Sequence, residues 1–229
     1  AAVNHQLGRS EEAEAQMREL IAQRTEVIGA LHPSTLVSRR NLGVLLVQTG
    51  RQQEALELLE SVYADSREAL GATAAPTLSL TQLLAFVYSS AGRHEEAHGL
   101  LRETVDQQEA AGGPREPSLL LPRNDLGMTL LDLGRPRDAV REFEALLAWA
   151  QPMLDESDFS LAIFRSNYAE SLLQVGDWQA ALESLELALP VFTAAAGPAH
   201  PRSRQAALRR IRALEGLGRK AEAQQARAS

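Results

Sequence analysis

The sequence has no cysteine, which rules out disulfides and thiolate metal sites and fits a reducing compartment. It is also poor in aromatics, at 4% of residues, while 45% are apolar, most of them Leu and Ala. That balance favours close-packed helices over strands. No apolar run approaches the roughly 18 to 20 residues that span a bilayer. The N-terminus has no basic-then-apolar signal pattern, so the expected location is cytoplasmic. No glycine-rich loop is built to cradle a phosphate, no serine stands beside a plausible base, and no cofactor is implied. A formal net charge of -7 argues against general nucleic-acid affinity. The charge is uneven: from Arg202 onward there are eight basic and two acidic residues, a local basic patch on an otherwise acidic chain.

What the sequence has instead is repetition. A Gly followed five residues later by Ala occurs as Gly8/Ala13, Gly50/Ala55, Gly92/Ala97, Gly134/Ala139, Gly176/Ala181 and Gly218/Ala223, a constant step of 42 residues. A second series, Gly29, Gly71, Gly113 and Gly197, keeps the same step, with Asp155 in its one vacant slot. A fixed period of this length marks stacked supersecondary units, which grow in one dimension. The expected organisation is a single array: 1–28 a partial first repeat, 29–70, 71–112, 113–154 and 155–196 full repeats, and 197–229 a C-terminal repeat with a capping helix. The opening Ala1 and the short stretch before Gly8 read as the cut end of a longer protein.

Each period reads as two helices. The apolar spacing of Ser10 to Ile28 puts Ala13, Met17, Leu20, Ile21 and Ile28 on one helical stripe. Gly29 stops that helix, and His32-Pro33-Ser34-Thr35 starts the next, with Pro in the first turn and a hydroxyl as N-cap. First helices are expected at about 77–91, 118–133, 160–175 and 202–216. Second helices are expected at about 52–69, 94–111, 136–153, 178–194 and 219–228. Small residues Gly43, Ala85, Gly127 and Ala169 precede Ala55, Ala97, Ala139 and Ala181 by twelve residues, so the helices are expected to cross small against small.

This pattern resembles the tetratricopeptide-repeat family over the whole chain. The 42-residue period with LHPSTL, PAHPRS and NLG is similar to its kinesin-light-chain subgroup, although His-Pro stands only at 32/33 and 200/201 and becomes Glu116-Pro117 and Asp158-Phe159 elsewhere. The alanine- and arginine-rich style is similar to arrays attached to bacterial signalling proteins. The resemblance implies an all-α fold, a right-handed α-solenoid of antiparallel helix pairs, whose first helices line a groove that binds a peptide or helical segment of a partner. Carried over by position, the groove would present Val37, Arg40, Asn41 and Val44; Gln82, Leu83 and Phe86; Leu121, Asn124, Asp125 and Met128; Ile163, Ser166, Asn167 and Glu170; and Gln205, Arg209 and Arg212.

An asparagine amide both donates and accepts, so Asn41 and Asn167 could grip a peptide backbone or bond one helix to another. Arg40, Arg209 and Arg212 could pair with carboxylate or phosphate on a partner, or with carboxylates of the chain itself. His94-Glu95-Glu96-Ala97-His98 matches the H-E-x-x-H zinc-peptidase signature. Aligned with SEEAE, QQEAL, PRDAV, WQAAL and KAEAQ, it is one copy of the entry into a second helix, so a zinc peptidase is a remote alternative. Trp178 is expected on the preceding turn, and Trp149, Phe159 and Phe164 in the core. The expectation is a non-catalytic scaffold for a protein or peptide partner, which includes another domain of the parent chain. Self-association is the alternative.

Overall fold

Glycine decides where this chain turns. The computed structural model describes residues 2–112 and 117–228, with side chains over 10–111 and 117–227. Every positive-φ residue in it is a glycine of the two periodic series: Gly29, Gly71 and Gly197 (φ 82–95°), and Gly50, Gly92, Gly134, Gly176 and Gly218 (φ 69–87°). A side chain is disfavoured there, and glycine is not. At each turn of the Gly50, Gly92, Gly134, Gly176 and Gly218 set, the following N–H closes the helix end on a carbonyl five residues back: Arg51 to Leu46, Arg93 to Tyr88, Arg135 to Leu130, Asp177 to Leu172 and Arg219 to Leu214, all at 2.8–2.9 Å. Gly113 and Glu116 lie outside the described residues.

The resulting helices are α1 (Ala2–Ile28), α2 (Pro33–Gln48), α3 (Gln52–Leu70), α4 (Ala75–Ser90), α5 (His94–Gly112), α6 (Leu120–Asp132), α7 (Pro136–Ala150), α8 (Phe159–Val175), α9 (Trp178–Ala196), α10 (Pro201–Gly216) and α11 (Lys220–Ala228). A 3-10 turn, Pro117–Leu119, precedes α6, and no strand occurs among the described residues. They form two compact units, Ala1–Pro114 and Arg115–Ser229. Within each unit, successive helices pack on one another. The core of the first unit joins Leu36, Leu56, Leu59, Val62, Leu80, Leu84 and Val87, with a smaller cluster of Leu42, Leu46 and Ala55. That of the second unit joins Ala169, Leu172, Leu185, Phe192, Ala206 and Leu214 among others.

Several expectations are corrected. No turn forms at Gly8: α1 runs through it as one continuous helix from Ala2 to Ile28. Met17 and Ile21 of α1 pack on the core, but Leu20 and Ile28 are exposed. The second helix expected to end near 153 stops at Ala150, just before Gln151-Pro152, because the proline has no N–H to extend the hydrogen-bond ladder. Asp158 then caps α8 by accepting from Ser160 N (2.6 Å) and Leu161 N (3.3 Å). The N-cap of α2 is not a hydroxyl but His32, whose Nδ1 accepts from Ser34 N at 3.2 Å. His200 does the same for Arg202 N at 3.3 Å on α10. The hydroxyls instead donate back to the preceding turn glycine, Thr35 Oγ1 to Gly29 O (2.9 Å) and Ser203 Oγ to Gly197 O (2.8 Å).

The helix crossing differs as well. A Cβ placed on Gly43 would lie 2.5 Å from Leu59 Cδ2, and one on Gly127 would lie 2.7 Å from Phe143 Cζ. The small residue of the first helix therefore receives the large residue four places beyond the alanine of the second, so packing is large into small. Trp178 packs on Gly216, where a Cβ would meet its ring. Phe164 and Trp149 are buried, and Phe159 meets Phe192 edge to face at 5.2 Å.

Alanine substitutions should separate these environments in urea titrations. Gly99 in α5 faces open space, so Gly99→Ala should stabilise by up to about 1 kcal/mol through helix propensity. Gly127→Ala should destabilise by about 1–2 kcal/mol, because overpacking against the rigid Phe143 ring exceeds that gain; Gly43→Ala should fall between them, since Leu59 can rotate. Loss of the cap in His200→Ala should cost about 1 kcal/mol, and His200→Asp should cost nothing.

Candidate functional site

The first helices of each unit lie side by side, α2 with α4 in the first and α6, α8 and α10 in the second. Their shared faces carry the residues singled out from the sequence. In the second unit these polar groups close on one another. Asn167 Nδ2 donates to Asn124 Oδ1 at 2.9 Å, and Asn124 Nδ2 donates to Asp125 Oδ1 at 3.1 Å. Arg209 donates through Nη1 to Ser166 O (3.0 Å) and Ser166 Oγ (2.8 Å), and through Nε to Glu170 Oε2 (2.9 Å). Arg212 Nη1 reaches both oxygens of Glu170, at 3.1 and 3.0 Å.

Burial follows the same division. Asn124, Ser166, Asn167 and Arg209 are buried, Asp125, Met128, Ile163 and Glu170 are half-buried, and Leu121, Gln205 and Arg212 are exposed. Burial lowers the proton affinity of the Arg209 guanidinium from its ordinary value, against the opposing pull of Glu170. Arg209 nonetheless stays charged, as arginine does in proteins. The two asparagines are thus joined across helices, and this network fixes α6, α8 and α10 in register. A buried set of this kind contributes little net stability but is costly to break on one side.

The first unit differs. Val37, Asn41 and Phe86 are exposed, and Arg40, Val44, Gln82 and Leu83 are half-buried. Leu83 leans on the core cluster. Arg40 has no ion-pair or hydrogen-bond partner among the described residues, and its Nε is covered without an acceptor. On this face the structure brings together aliphatic, aromatic, amide and guanidinium groups, which suits recognition of a segment of chain rather than covalent chemistry.

Sequence reasoning missed a further polar position. Arg39, Thr81, Arg123 and Arg165 are 42 residues apart on successive first helices. Arg39 Nη1 donates to Asp65 Oδ2 (2.5 Å) on α3, Thr104 Oγ1 on α5 donates to Thr81 Oγ1 (3.5 Å), and Arg123 Nη1 donates to Glu142 Oε1 (2.9 Å) on α7. Arg165 Nη2 instead pairs with Glu156 (2.6 Å) in the turn before α8. The period itself was the signal that could have found them. His94 and His98 stand one turn apart at the start of α5; among the described residues, no group of three His, Asp or Glu side chains is placed to hold a metal. No described helix is long and apolar enough to cross a membrane.

The tetratricopeptide-repeat profile matches residues 1–68 and 73–151. A second profile of the same description matches residues 124–198. No curated protein matches the chain by sequence. Among solved structures, a variant of a Podosopora anserina kinesin light chain protein with nearly identical TPR-like repeats is 29% identical, over 86% of this chain and 95% of its own, with a TM-score of 0.73. BtubC (BKLC) from P. vanneervenii is 20% identical over 100% of this chain and 92% of its own, with a TM-score of 0.73. Bacillus thuringiensis PlcR, solved in complex with the peptide PapR7 and DNA, is 15% identical over 84% and 67%, with a TM-score of 0.60. At those lower identities the likeness is one of fold. Repeat period, helix pairing and sequence match agree: the chain belongs to the tetratricopeptide-repeat family, with repeats of the kinesin-light-chain kind.

Proposed function

We propose that the chain is a non-catalytic interaction scaffold that holds a peptide or helical segment of a partner protein on the faces of its first helices. The supporting observation is where large apolar side chains meet solvent. Val37, Phe86, Leu121 and Leu208, on α2, α4, α6 and α10, are 43%, 60%, 49% and 64% exposed. Among the described residues, α3, α5 and α7 leave no large apolar side chain so exposed, while α9 leaves Leu187 at 52%. An exposed aromatic flanked by polar groups is the usual anchor of a protein interface. PlcR, which shares the fold, was solved with a bound peptide.

In this reading Val37, Arg40, Asn41, Val44, Gln82 and Phe86 contact the partner on the first unit. On the second, Asn124, Ser166, Asn167 and Arg209 form the frame, while Asp125, Met128, Glu170 and Arg212 border it. The partner is a protein segment, another domain of the parent chain included, and the absence of cysteine fits a cytoplasmic setting. A self-association reading draws support from a different place: Leu20, Val27 and Ile28 of α1 and Leu31 of the following turn are also exposed.

Binding in the micromolar range, about -8 kcal/mol, is expected for a peptide ligand. Phe86→Ala should weaken it by about 2 kcal/mol, roughly thirtyfold, in fluorescence anisotropy. Binding untouched by both Phe86→Ala and Asn41→Ala would move the site off the first unit's face. Light scattering across a concentration series should give a constant monomer mass; a rising mass that Val27→Glu suppresses would favour self-association instead.

A further inference from the structure

The second helices of the array are not equally enclosed. In the first unit α3 packs between α2 and α4, and in the second α7 packs between α6 and α8 and α9 between α8 and α10, whereas α1 has extensive packing with α2 only. The consequence shows at positions that share the 42-residue register. Val62, Leu146 and Ala188 are fully buried, but Leu20, their counterpart on α1, is 40% exposed. Ala55, Ala97, Ala139 and Ala181 are fully buried, but Ala13 is only half-buried. Val27, 79% exposed, extends the same line. Residues seven apart on a helix fall on nearly one line along its surface, and Ala13, Leu20 and Val27 are so spaced. Glu12, Glu19 and Glu26 form a second line, offset by one residue or about 100° around the helix, with Gln16 and Gln23 between the two. These carboxylates are exposed, and none has a cationic partner among the described residues; Glu19 accepts only from Gln23 Nε2, at 3.2 Å. The two arginines among the described side chains of α1 are engaged elsewhere, Arg18 with Glu14 and Arg24 with Ser34 O and Ser38 Oγ.

We propose that the Ala13–Leu20–Val27 line of α1 is a second docking surface, apart from the first-helix faces, and that its occupant is an amphipathic helix of a partner whose apolar edge is flanked by Lys or Arg. A helix fits because the equivalent faces of α3, α7 and α9 are each closed by helices, and small and large side chains at helical spacing are what such packing uses. The flank must be basic because an apolar edge seated on Leu20 and Val27 runs beside the row of Glu12, Glu19 and Glu26. Opposite charges beside an apolar seam choose the partner and its orientation, and like charges there exclude the wrong one. A second copy of α1 would gather two rows of carboxylates at one interface without cations to offset them, so the charge favours a different chain.

The test uses the whole chain and two labelled helical peptides, each with Leu and Ala along one edge, one flanked by Lys and the other by Glu. The Lys peptide should bind about tenfold tighter than the Glu peptide, and the preference should shrink at about 1 M salt, where charges are screened beyond about 3 Å. Glu19→Lys with Glu26→Lys should reverse the preference, Val27→Ser should weaken both peptides, and Phe86→Ala should leave the Lys peptide unaffected. Circular dichroism should show the helix content of each variant unchanged. A Lys preference that survives the double charge reversal overturns the proposal, as does equal binding of the two peptides or binding of neither. Lys-peptide binding lost in Phe86→Ala and kept in Val27→Ser places the peptide on the first-helix faces, so that the α1 surface falls while the first-helix reading stands. A mass that rises with concentration in the absence of peptide, and stays constant in Val27→Ser, assigns the line to a second copy and overturns the partner helix.

Discussion

The fold depends on a steric fit between the two helices of each repeat: a large side chain of the second helix is seated on a residue of the first that has no room for more. Leu59 on Gly43 and Phe143 on Gly127 are the tightest examples, each within 3 Å of where a Cβ would be. Such contacts draw two backbones together and remove both side chains from water. Because the fit recurs every 42 residues, each pair presents the same faces to the next. The glycine turns serve this geometry by ending each helix where its partner must begin.

Polar groups work within that frame rather than creating it. Arg39 with Asp65, Thr81 with Thr104 and Arg123 with Glu142 tie a first helix to its own second helix, whereas the Asn124–Asn167–Arg209–Glu170 set ties one first helix to the next. Exposed pairs at the turns, such as Arg135 with Asp138 and Arg219 with Glu222, are screened by solvent and orient local structure at most. A misregistered pair of helices would leave the buried amides and guanidinium of the second unit without partners. That penalty favours one alignment even where the net gain from each bond is small.

The two units therefore offer different surfaces from one plan. In the second, Glu170 on α8 pairs with Arg209 and Arg212 of α10, while Leu121, Leu208 and Gln205 stay outward. In the first, α2 and α4 lack acidic residues, and Arg40, Asn41, Val37 and Phe86 remain addressable. A difference of a few side chains at equivalent positions thus separates a self-satisfied face from an open one.

Helix number, turn positions and family were legible in the sequence, because a glycine in the left-handed region and a proline in a first helical turn are constraints of one residue and its neighbours. Boundaries slipped at Pro152, which ends α7 early, and at Gly8, which lies inside a continuous helix. The site was legible as a set of positions but not as a set of partners. Asn124 meets Asn167 at a separation of 43 residues, and Arg209 meets Ser166 at 43 and Glu170 at 39. Which of these offsets brings two side chains together depends on how neighbouring helices are tilted and rotated. By itself the sequence determined the repeat, because local sterics leave the chain few ways to turn; only the tertiary structure decided which polar groups are used internally and which face the solvent, because that depends on the distances between helices that local sequence does not encode.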